Sequence, residues 1–207
     1  PLRRQRQMCI RDREIFMKNK KLIIYVHGWN SHKKARKAVL IADELKSNID
    51  FEVCSLTLHH HPREAISQLT EIIEMERKNR EVCLIGSSLG GYFSVYLAEK
   101  YNLKAAMINP AVWAYKIFKN NMGKNINGNT GVEYIVDDEW VNSLKEIFIE
   151  KITHENYLVL LQTGDETLNY EFAEKYFKGS KIEIDEGGNH SFENLESKIP
   201  NILDHFS

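Results

Sequence analysis

The chain contains little cysteine, and this excludes the folds that depend on it. Cysteine occurs three times in 207 residues, without the spacing of metal ligands. An odd number without such spacing argues against a disulfide scaffold and against a zinc site. Cys54 and Cys83 lie in apolar stretches with strand character, where a free buried thiol is usual. This usage favours a protein of the reducing cytoplasm.

Long apolar runs are also missing. No stretch of about 18 apolar residues occurs, so no transmembrane helix is predicted. The basic N-terminus is not followed by the apolar segment of a signal peptide. The sequence has no internal repeat and no linker rich enough to separate two domains, so one domain is predicted.

Regular structure is not predicted for the N-terminal segment. Residues 1–13 contain five arginines and no periodicity. A basic arm of this kind could bind nucleic acid or a membrane surface. We instead interpret residues 1–16 as a non-native or disordered extension of a domain over 17–207. Without residues 1–13, the positive charges fall from 28 to 23 and the negative charges from 29 to 28, which leaves a net charge of −5. A mildly acidic domain is a poor nucleic-acid binder, and neither a nucleic acid nor a membrane is expected as a partner.

Strand and helix patterns alternate along the rest of the chain, which predicts an α/β fold with a parallel sheet and helices on both faces. Right-handed crossovers favour the strand order 2-1-3-4-5-6. Pro62 suits the first turn of a helix, and a last helix is expected to carry apolar residues from Phe192 to Phe206. The six predicted strands are residues 22–26, 51–56, 82–85, 105–108, 157–161 and 181–184.

One connection is too long for a plain loop. Residues 110–156 separate the fourth and fifth strands, whereas such connections usually have about 2–6 residues. The segment contains helix candidates at 112–118 and at about 138–152, with a Gly/Asn-rich stretch at 121–131 between them. We predict a helical lid or pocket wall, although these helices could simply pack on the core. Its aromatic and aliphatic residues, Trp113 among them, favour an apolar acyl or alcohol group.

A possible nucleophile lies where the third strand meets a helix. Residues 86–90 read G-x-S-x-G, with Ser88 at the centre. A serine hydroxyl must be exposed beside a base to act as a nucleophile. A sharp strand-to-helix turn provides this exposure, and small flanking residues allow the helix to return close to the strand. Gly86, Gly90 and Gly91 supply that space.

An acid and a base should follow the serine in that order, each at a strand end. Asp165 follows the fifth strand, and His190 follows the sixth. The carboxyl ends of parallel strands share one edge of the sheet, so both residues can reach Ser88. Taken alone, Asp165 could be a helix N-cap, and the loop of His190 could be a turn. Glu166, Asp185 and Glu186 compete with Asp165 for the role of the acid.

The loop after the first strand has features of an oxyanion hole. In this arrangement that loop donates one backbone N–H, and the residue after the nucleophile donates the other. These positions are Trp29 and Leu89. Gly28 allows the backbone to approach a substrate, and with Asn30 and Trp113 it is a candidate for substrate binding. For His27 a structural role is favoured.

A histidine triplet follows the second strand. Residues 59–61 resemble a metal-binding tract, but successive side chains of a loop point in different directions and no Cys or acidic ligand stands at metal-ligand spacing. We interpret the triplet as a solvated loop that could contact a substrate, and we predict no metal site.

Together, several blocks of sequence resemble the small bacterial esterases of the YqiA type. The blocks are residues 27–31 (HGWNS), 86–92 (GSSLGGY), 109–111 (NPA), 162–166 (QTGDE) and 186–192 (EGGNHSF). The resemblance covers the chain from about residue 21 to its end. It implies a reduced α/β-hydrolase fold, with Ser88, Asp165 and His190 as nucleophile, acid and base. Trp29 stands where we expect phenylalanine, which should alter the pocket wall rather than the chemistry.

The residues and the resemblance predict a serine hydrolase for carboxylic esters that acts through an acyl-enzyme. The expected partner is a small-molecule ester with an apolar acyl chain, and no cofactor is expected. The same triad would serve an acyl thioesterase or a small-amide hydrolase, and the fold does not choose between them. The alternative outside enzymes is a non-catalytic scaffold used for binding, although such scaffolds usually lose a triad residue.

Overall fold

The computed structural model describes residues 20–207, so the third cysteine, Cys9, and the extension predicted over 1–16 lie outside the described residues. Six parallel strands form one sheet in the order β2-β1-β3-β4-β7-β8, and β5 pairs with β6 in a separate antiparallel hairpin. With the hairpin left aside, this is the predicted order 2-1-3-4-5-6. The strands are β1 Lys21–Val26, β2 Phe51–Ser55, β3 Val82–Ser88, β4 Ala105–Pro110, β5 Gly123–Ile126, β6 Glu133–Val136, β7 Tyr157–Gln162 and β8 Lys181–Asp185.

Helices cover both faces of the sheet, as predicted. The helices of the described chain are α1 Arg36–Glu44, α2 Pro62–Glu76, α3 Leu89–Tyr101, α4 Ala114–Lys119, α5 Asp138–Glu146, α6 Tyr170–Tyr176 and α7 Ile199–Phe206.

Two apolar cores result, because successive side chains of a strand point to opposite faces. In β3, Val82 and Leu84 pack with α2, α3 and α5, whereas Cys83 and Ile85 pack with α1 and α7. Cys83 is buried and Cys54 is half-buried, and both are free thiols.

The ends of two helices show how local chemistry sets their bounds. Pro62 opens α2 as predicted, and the side chain of His61 caps this helix by accepting from the Arg63 N–H. The last helix begins later than predicted. Phe192 and Asn194 have φ values of 64° and 55°, a left-handed backbone that an α-helix cannot contain. The chain therefore turns there, and a short 3₁₀ segment at Leu195–Lys198 precedes α7.

The segment between β4 and β7 differs in part from the predicted helical lid. Helices α4 and α5 form within it, but α5 ends at Glu146 rather than near residue 152. The Gly/Asn-rich stretch takes part in the β5–β6 hairpin. Asn127 shapes the turn, because its side-chain oxygen accepts from the N–H groups of Asn129 and Thr130. Glycine and asparagine suit such turns, and this chemistry explains why a helix does not continue here.

Helix α5 joins the core, as one alternative reading of the sequence allowed. Trp140 is 1 % exposed, and its indole donates to the His60 carbonyl at 3.1 Å. Tyr92 of α3 donates to the Leu144 carbonyl at 2.9 Å. The insertion is thus tied to the loop after β2 and to the helix that follows β3. Within residues 20–207, no helix combines the length and apolar character needed to cross a membrane.

Candidate active site

Ser88 occupies a strained turn between β3 and α3. Its φ and ψ are 54° and −123°, a conformation that a non-glycine residue rarely adopts and that is common at functional turns. The Ser88 carbonyl accepts from the Ala111 N–H at 3.0 Å, which ties the turn to the end of β4. Gly90 is required here, because a Cβ atom on it would collide with the main-chain oxygens of Val26 and His27. Glycine at this position therefore allows the start of α3 to pack directly against the end of β1.

Asp165 and His190 form a hydrogen-bonded pair. The imidazole Nδ1 lies 2.9 Å from Asp165 Oδ1 and 2.8 Å from Oδ2. Asp165 Oδ1 also accepts from the backbone N–H groups of Thr167 and Leu168, at 2.8 Å each. The carboxylate is 2 % exposed and the imidazole 21 %. With Nδ1 donating to this fixed carboxylate, Nε2 keeps its lone pair and can accept a proton.

The competing acidic residues have other contacts. Glu166 accepts from the backbone N–H of His190 at 2.9 Å, and this hydrogen bond lowers the pKa of the Glu166 carboxyl. Asp185 pairs with Lys198 at 2.7 Å. Within residues 20–207, Asp165 is the one carboxylate that contacts the His190 ring.

Ser88 and His190 line the same pocket. Its volume is about 380 Å³, and Gly28, Trp29 and Ser191 also line it. In the described part of the chain the Ser88 hydroxyl makes no hydrogen bond to His190. The structure thus places Ser88 and His190 at one cavity without a hydrogen bond between them. Catalytic hydrogen bonds are often long in the absence of substrate and tighten in the complex.

The loop after β1 lies against Ser88. A Cβ atom on Gly28 would stand 3.0 Å from the Ser88 Cβ atom and 3.4 Å from its Oγ atom, so glycine permits this close approach. The backbone N–H groups of Trp29 and Leu89 have no hydrogen-bond acceptor among residues 20–207. Trp29 lines the Ser88 pocket and Leu89 begins α3 directly after Ser88. His27 is buried, and its Nε2 accepts from the Leu58 N–H at 3.0 Å, which is the structural role favoured from the sequence.

A hydrogen-bond network that the sequence did not reveal joins this loop to the hairpin. The Trp29 indole donates to the Tyr134 hydroxyl at 2.5 Å, and that hydroxyl donates to Asn30 Oδ1 at 2.6 Å. Asn129 Nδ2 donates to the Asn30 carbonyl at 2.7 Å. The ring of Trp29 also packs edge-on against Phe118, with centroids 4.9 Å apart. The insertion therefore holds the loop that carries the Trp29 N–H. Asn30, a candidate for substrate binding, contacts the hairpin.

The buried side-chain amides of Asn109 and Gln162 hold the His190 loop, a role that no sequence pattern indicated. Asn109 accepts from the Gln162 N–H at 3.0 Å and donates to the Asn189 carbonyl at 3.0 Å. Gln162 Oε1 accepts from the N–H groups of Asn189 and Glu193, at 3.1 and 2.9 Å. Fixed on both sides in this way, the loop holds His190 against Asp165.

Trp113, the third candidate for substrate binding, lies in a neighbouring apolar groove rather than in the Ser88 pocket. This groove has a volume of about 300 Å³, and its walls also include Ile117, Leu168 and Phe172. Pro110, another wall residue, pairs with Ser88 in the β3–β4 register. The groove therefore begins beside the strained turn.

The histidine triplet packs against the insertion. The ring centroids of His59 and His60 lie 4.1 Å apart, and those of His60 and Tyr134 lie 4.7 Å apart, with the rings tilted in both pairs. His61 Nε2 lies 2.7 Å from Glu139. Within residues 20–207, no group of three or more His, Cys, Asp or Glu side chains is arranged to hold a metal ion.

Comparison with known proteins identifies the family. The model of an uncharacterised protein family, UPF0227, matches residues 22–207. The chain therefore belongs to this family, which is the YqiA-like group that its motifs resemble.

Solved structures with the α/β-hydrolase fold are similar to this chain, at low sequence identity. A putative hydrolase from Agrobacterium vitis has a TM-score of 0.71 and 12% identity, with 92% of this chain and 89% of that chain covered. Est1E from Butyrivibrio proteoclasticus, solved with ferulic acid, has a TM-score of 0.72 and 17% identity, with 90% and 88% covered. An alpha-beta serine hydrolase homologue from Coxiella burnetii has a TM-score of 0.62 and 12% identity, with 91% and 86% covered. The fold is therefore that of the α/β-hydrolases.

Proposed function

We propose that this member of the UPF0227 family is a serine esterase that cleaves carboxylic esters through an acyl-enzyme. One observation carries the proposal: a serine in a strained strand-to-helix turn shares its pocket with a histidine whose Nδ1 lies on a buried carboxylate. This is the arrangement that activates a hydroxyl at neutral pH. The fold it shares with solved serine hydrolases adds support.

The reaction has two halves. Ser88 Oγ attacks the ester carbonyl while His190 Nε2 takes its proton, and the imidazolium then protonates the departing alcohol. The N–H groups of Trp29 and Leu89 donate to the oxyanion in each half. Water, activated by His190, then releases the acid and restores Ser88. The apolar groove beside Pro110 would accept an apolar acyl or alcohol group.

A fluorophosphonate probe tests the nucleophile directly. Covalent labelling of the purified protein, followed by peptide mass spectrometry, is expected to place the phosphonate on Ser88. A series of 4-nitrophenyl esters, acyl-CoA thioesters and anilides of matched acyl length then identifies the bond that is cleaved. We expect the esters to give the highest kcat/KM. An unlabelled protein without turnover of any series would support the non-catalytic scaffold instead.

The Tyr134 network gives a second prediction for this reaction. Tyr134→Phe removes the hydroxyl that bridges Trp29 and Asn30, so the oxyanion loop loses its tie to the hairpin. A hydrogen bond of this kind is worth about 1 kcal/mol, and we expect kcat for ester hydrolysis to fall roughly fivefold to tenfold with a smaller change in KM.

Ile135→Ala is the matched control, because Ile135 is the next residue of the same strand and is 58% exposed. Steady-state kinetics and melting temperatures of both variants check the prediction. Wild-type kcat in a folded Tyr134→Phe variant would show that the hairpin does not position the loop.

A further inference from the structure

Two cations line the Ser88 pocket and have no role in the proposed reaction. Arg36 and Lys37 open α1, and both side chains line the wall of the pocket shared by Ser88 and His190. No aspartate or glutamate of the described chain lines that wall. The formally charged side chains that line the pocket are therefore positive, and the carboxylate of Asp165 lies behind them.

Lys37 is only partly satisfied by the protein. Its Nζ atom donates to the Ser191 carbonyl at 3.3 Å, and an ammonium has three donors to place. In residues 20–207, neither Lys37 nor Arg36 forms an ion pair with a carboxylate. Burial lowers the pKa of Lys37 to about 8, although the negative charge of Asp165 opposes this shift. Asp165 itself is already occupied by His190 and two backbone N–H groups.

Two other partly buried cations among residues 20–207 are paired with carboxylates. The Arg80 side chain is 12% exposed and contacts both Glu52 and Glu76. The Lys198 side chain is 17% exposed and contacts both Glu183 and Asp185. Removing a charge from water is costly unless a counter-charge accompanies it. Lys37 is half-buried and its contact with the Ser191 carbonyl is exposed to solvent, so its ammonium is accessible; no carboxylate of the described residues pairs with it, and a ligand can supply that counter-charge.

We propose that Lys37, assisted by Arg36, binds an anionic group of the substrate, either a carboxylate or a phosphate. This inference rests on the proposed esterase function and narrows its substrate class. The preferred ester then carries a negative charge on the side that enters the Ser88 pocket. Its apolar part lies in the groove lined by Trp113 and Phe172 on the other side of the strained turn.

Esters of matched length, charged and neutral, test the proposal. For the alcohol side, 4-carboxyphenyl butanoate and 4-phosphonooxyphenyl butanoate are compared with the neutral 4-carbamoylphenyl butanoate. For the acyl side, the mono-4-nitrophenyl ester of adipic acid is compared with 4-nitrophenyl hexanoate. The readout is the ratio of kcat/KM for the charged ester to that for its neutral partner, measured for the wild type, Lys37→Gln, Lys37→Arg and Arg36→Gln.

On one side of the ester, we expect the wild-type ratio to exceed one. Lys37→Gln should lower that ratio about tenfold to a hundredfold, the range for a hydrogen bond to a charged group, mainly through KM. Lys37→Arg should keep most of the wild-type ratio, and Arg36→Gln should lower the ratio less than Lys37→Gln does. Lys34→Gln is the control, because Lys34 is an exposed lysine of the preceding loop that does not line the pocket. The charged-to-neutral ratio is measured for the carboxylate ester and for the phosphate ester, and the larger of the two ratios identifies the preferred anion.

The pH dependence of the ratio gives an independent reading. Because the protonated form of Lys37 binds the anion, the ratio should fall as the pH rises through about 8. The same decline should be absent in Lys37→Arg. Among the described residues, Arg36, Asp165, His190 and Tyr25 are the other charged or titratable groups around Lys37, and burial raises the pKa of Tyr25 well above this pH range. Both esters depend on the same catalytic residues, so the contribution of those residues cancels in the ratio.

Two outcomes overturn the subsite. One is a wild-type ratio at or below one on both sides of the ester, and the other is a ratio that Lys37→Gln leaves unchanged. If Lys37→Gln does not fold, the wild-type ratio at rising ionic strength decides, since salt must weaken attraction between charges. If the protein cleaves neutral and charged esters equally well, the esterase proposal stands and the anion subsite is wrong. If the protein cleaves none of the esters, both proposals are wrong.

Discussion

Ser88→Ala is expected to lower kcat for ester hydrolysis by about 10⁴-fold to 10⁶-fold, the range for loss of a triad nucleophile. Alanine keeps the Cβ atom that packs against Gly28 and removes only the Oγ atom. The left-handed backbone at this position is equally strained for serine and alanine. We therefore expect a folded protein with an unchanged pocket that lacks the attacking atom. Single-turnover kinetics and phosphonate labelling measure the loss.

Ser87→Ala is the matched control, one residue earlier in β3. Ser87 is 2% exposed, and its hydroxyl interacts with Tyr25 rather than with the acid–base pair. This variant should cost far less activity than Ser88→Ala, together with a small fall in melting temperature. A phosphonate on Ser87, or full activity in Ser88→Ala, would contradict the assignment of the nucleophile.

The sheet, and the strand ends that carry Asp165 and His190, could be predicted because their signals are local. An apolar run such as β7 reads as a buried strand by itself, and parallel strands end at one edge whatever the details of packing. Asp165 and His190 each follow such a strand, so the topology alone brings them to the side of Ser88. The contact between Asp165 and His190 required the structure, since Glu166 is adjacent to Asp165 and Asp185 lies only five positions before His190.

The hairpin and its network could not be predicted from the same signals. Strands β5 and β6 have four residues each, too few for an alternating pattern to stand out. Tyr134 meets Trp29 across 105 positions of sequence, and no spacing rule reports a contact of that range. Lys37 is similarly hidden, because a lysine at a helix start usually faces solvent. Its place in the pocket depends on how α1 docks beside the His190 loop.

Asp165→Asn is expected to cost about 10⁴-fold in kcat, as for a catalytic histidine held in the wrong tautomer. The backbone N–H groups of Thr167 and Leu168 both donate to Oδ1, so the oxygen of the new amide must occupy that site. Its NH₂ group then takes the place of Oδ2, which lies 2.8 Å from His190 Nδ1. An NH₂ group there is best met by an accepting Nδ1, although the amide oxygen stays 2.9 Å from Nδ1. This favours the tautomer with its proton on Nε2, which cannot act as the base.

Controls at the two competing acids separate this effect from general damage. Glu166→Gln keeps an oxygen that can accept from the His190 N–H, and Asp185→Asn weakens the pair with Lys198 at the end of β8. Both variants should retain most of the wild-type kcat, and Asp185→Asn should lower the melting temperature slightly. Steady-state rates and thermal melts of the three variants test the assignment. A larger loss in Asp185→Asn than in Asp165→Asn would show that the acid is misassigned, because only the residue on Nδ1 controls the tautomer.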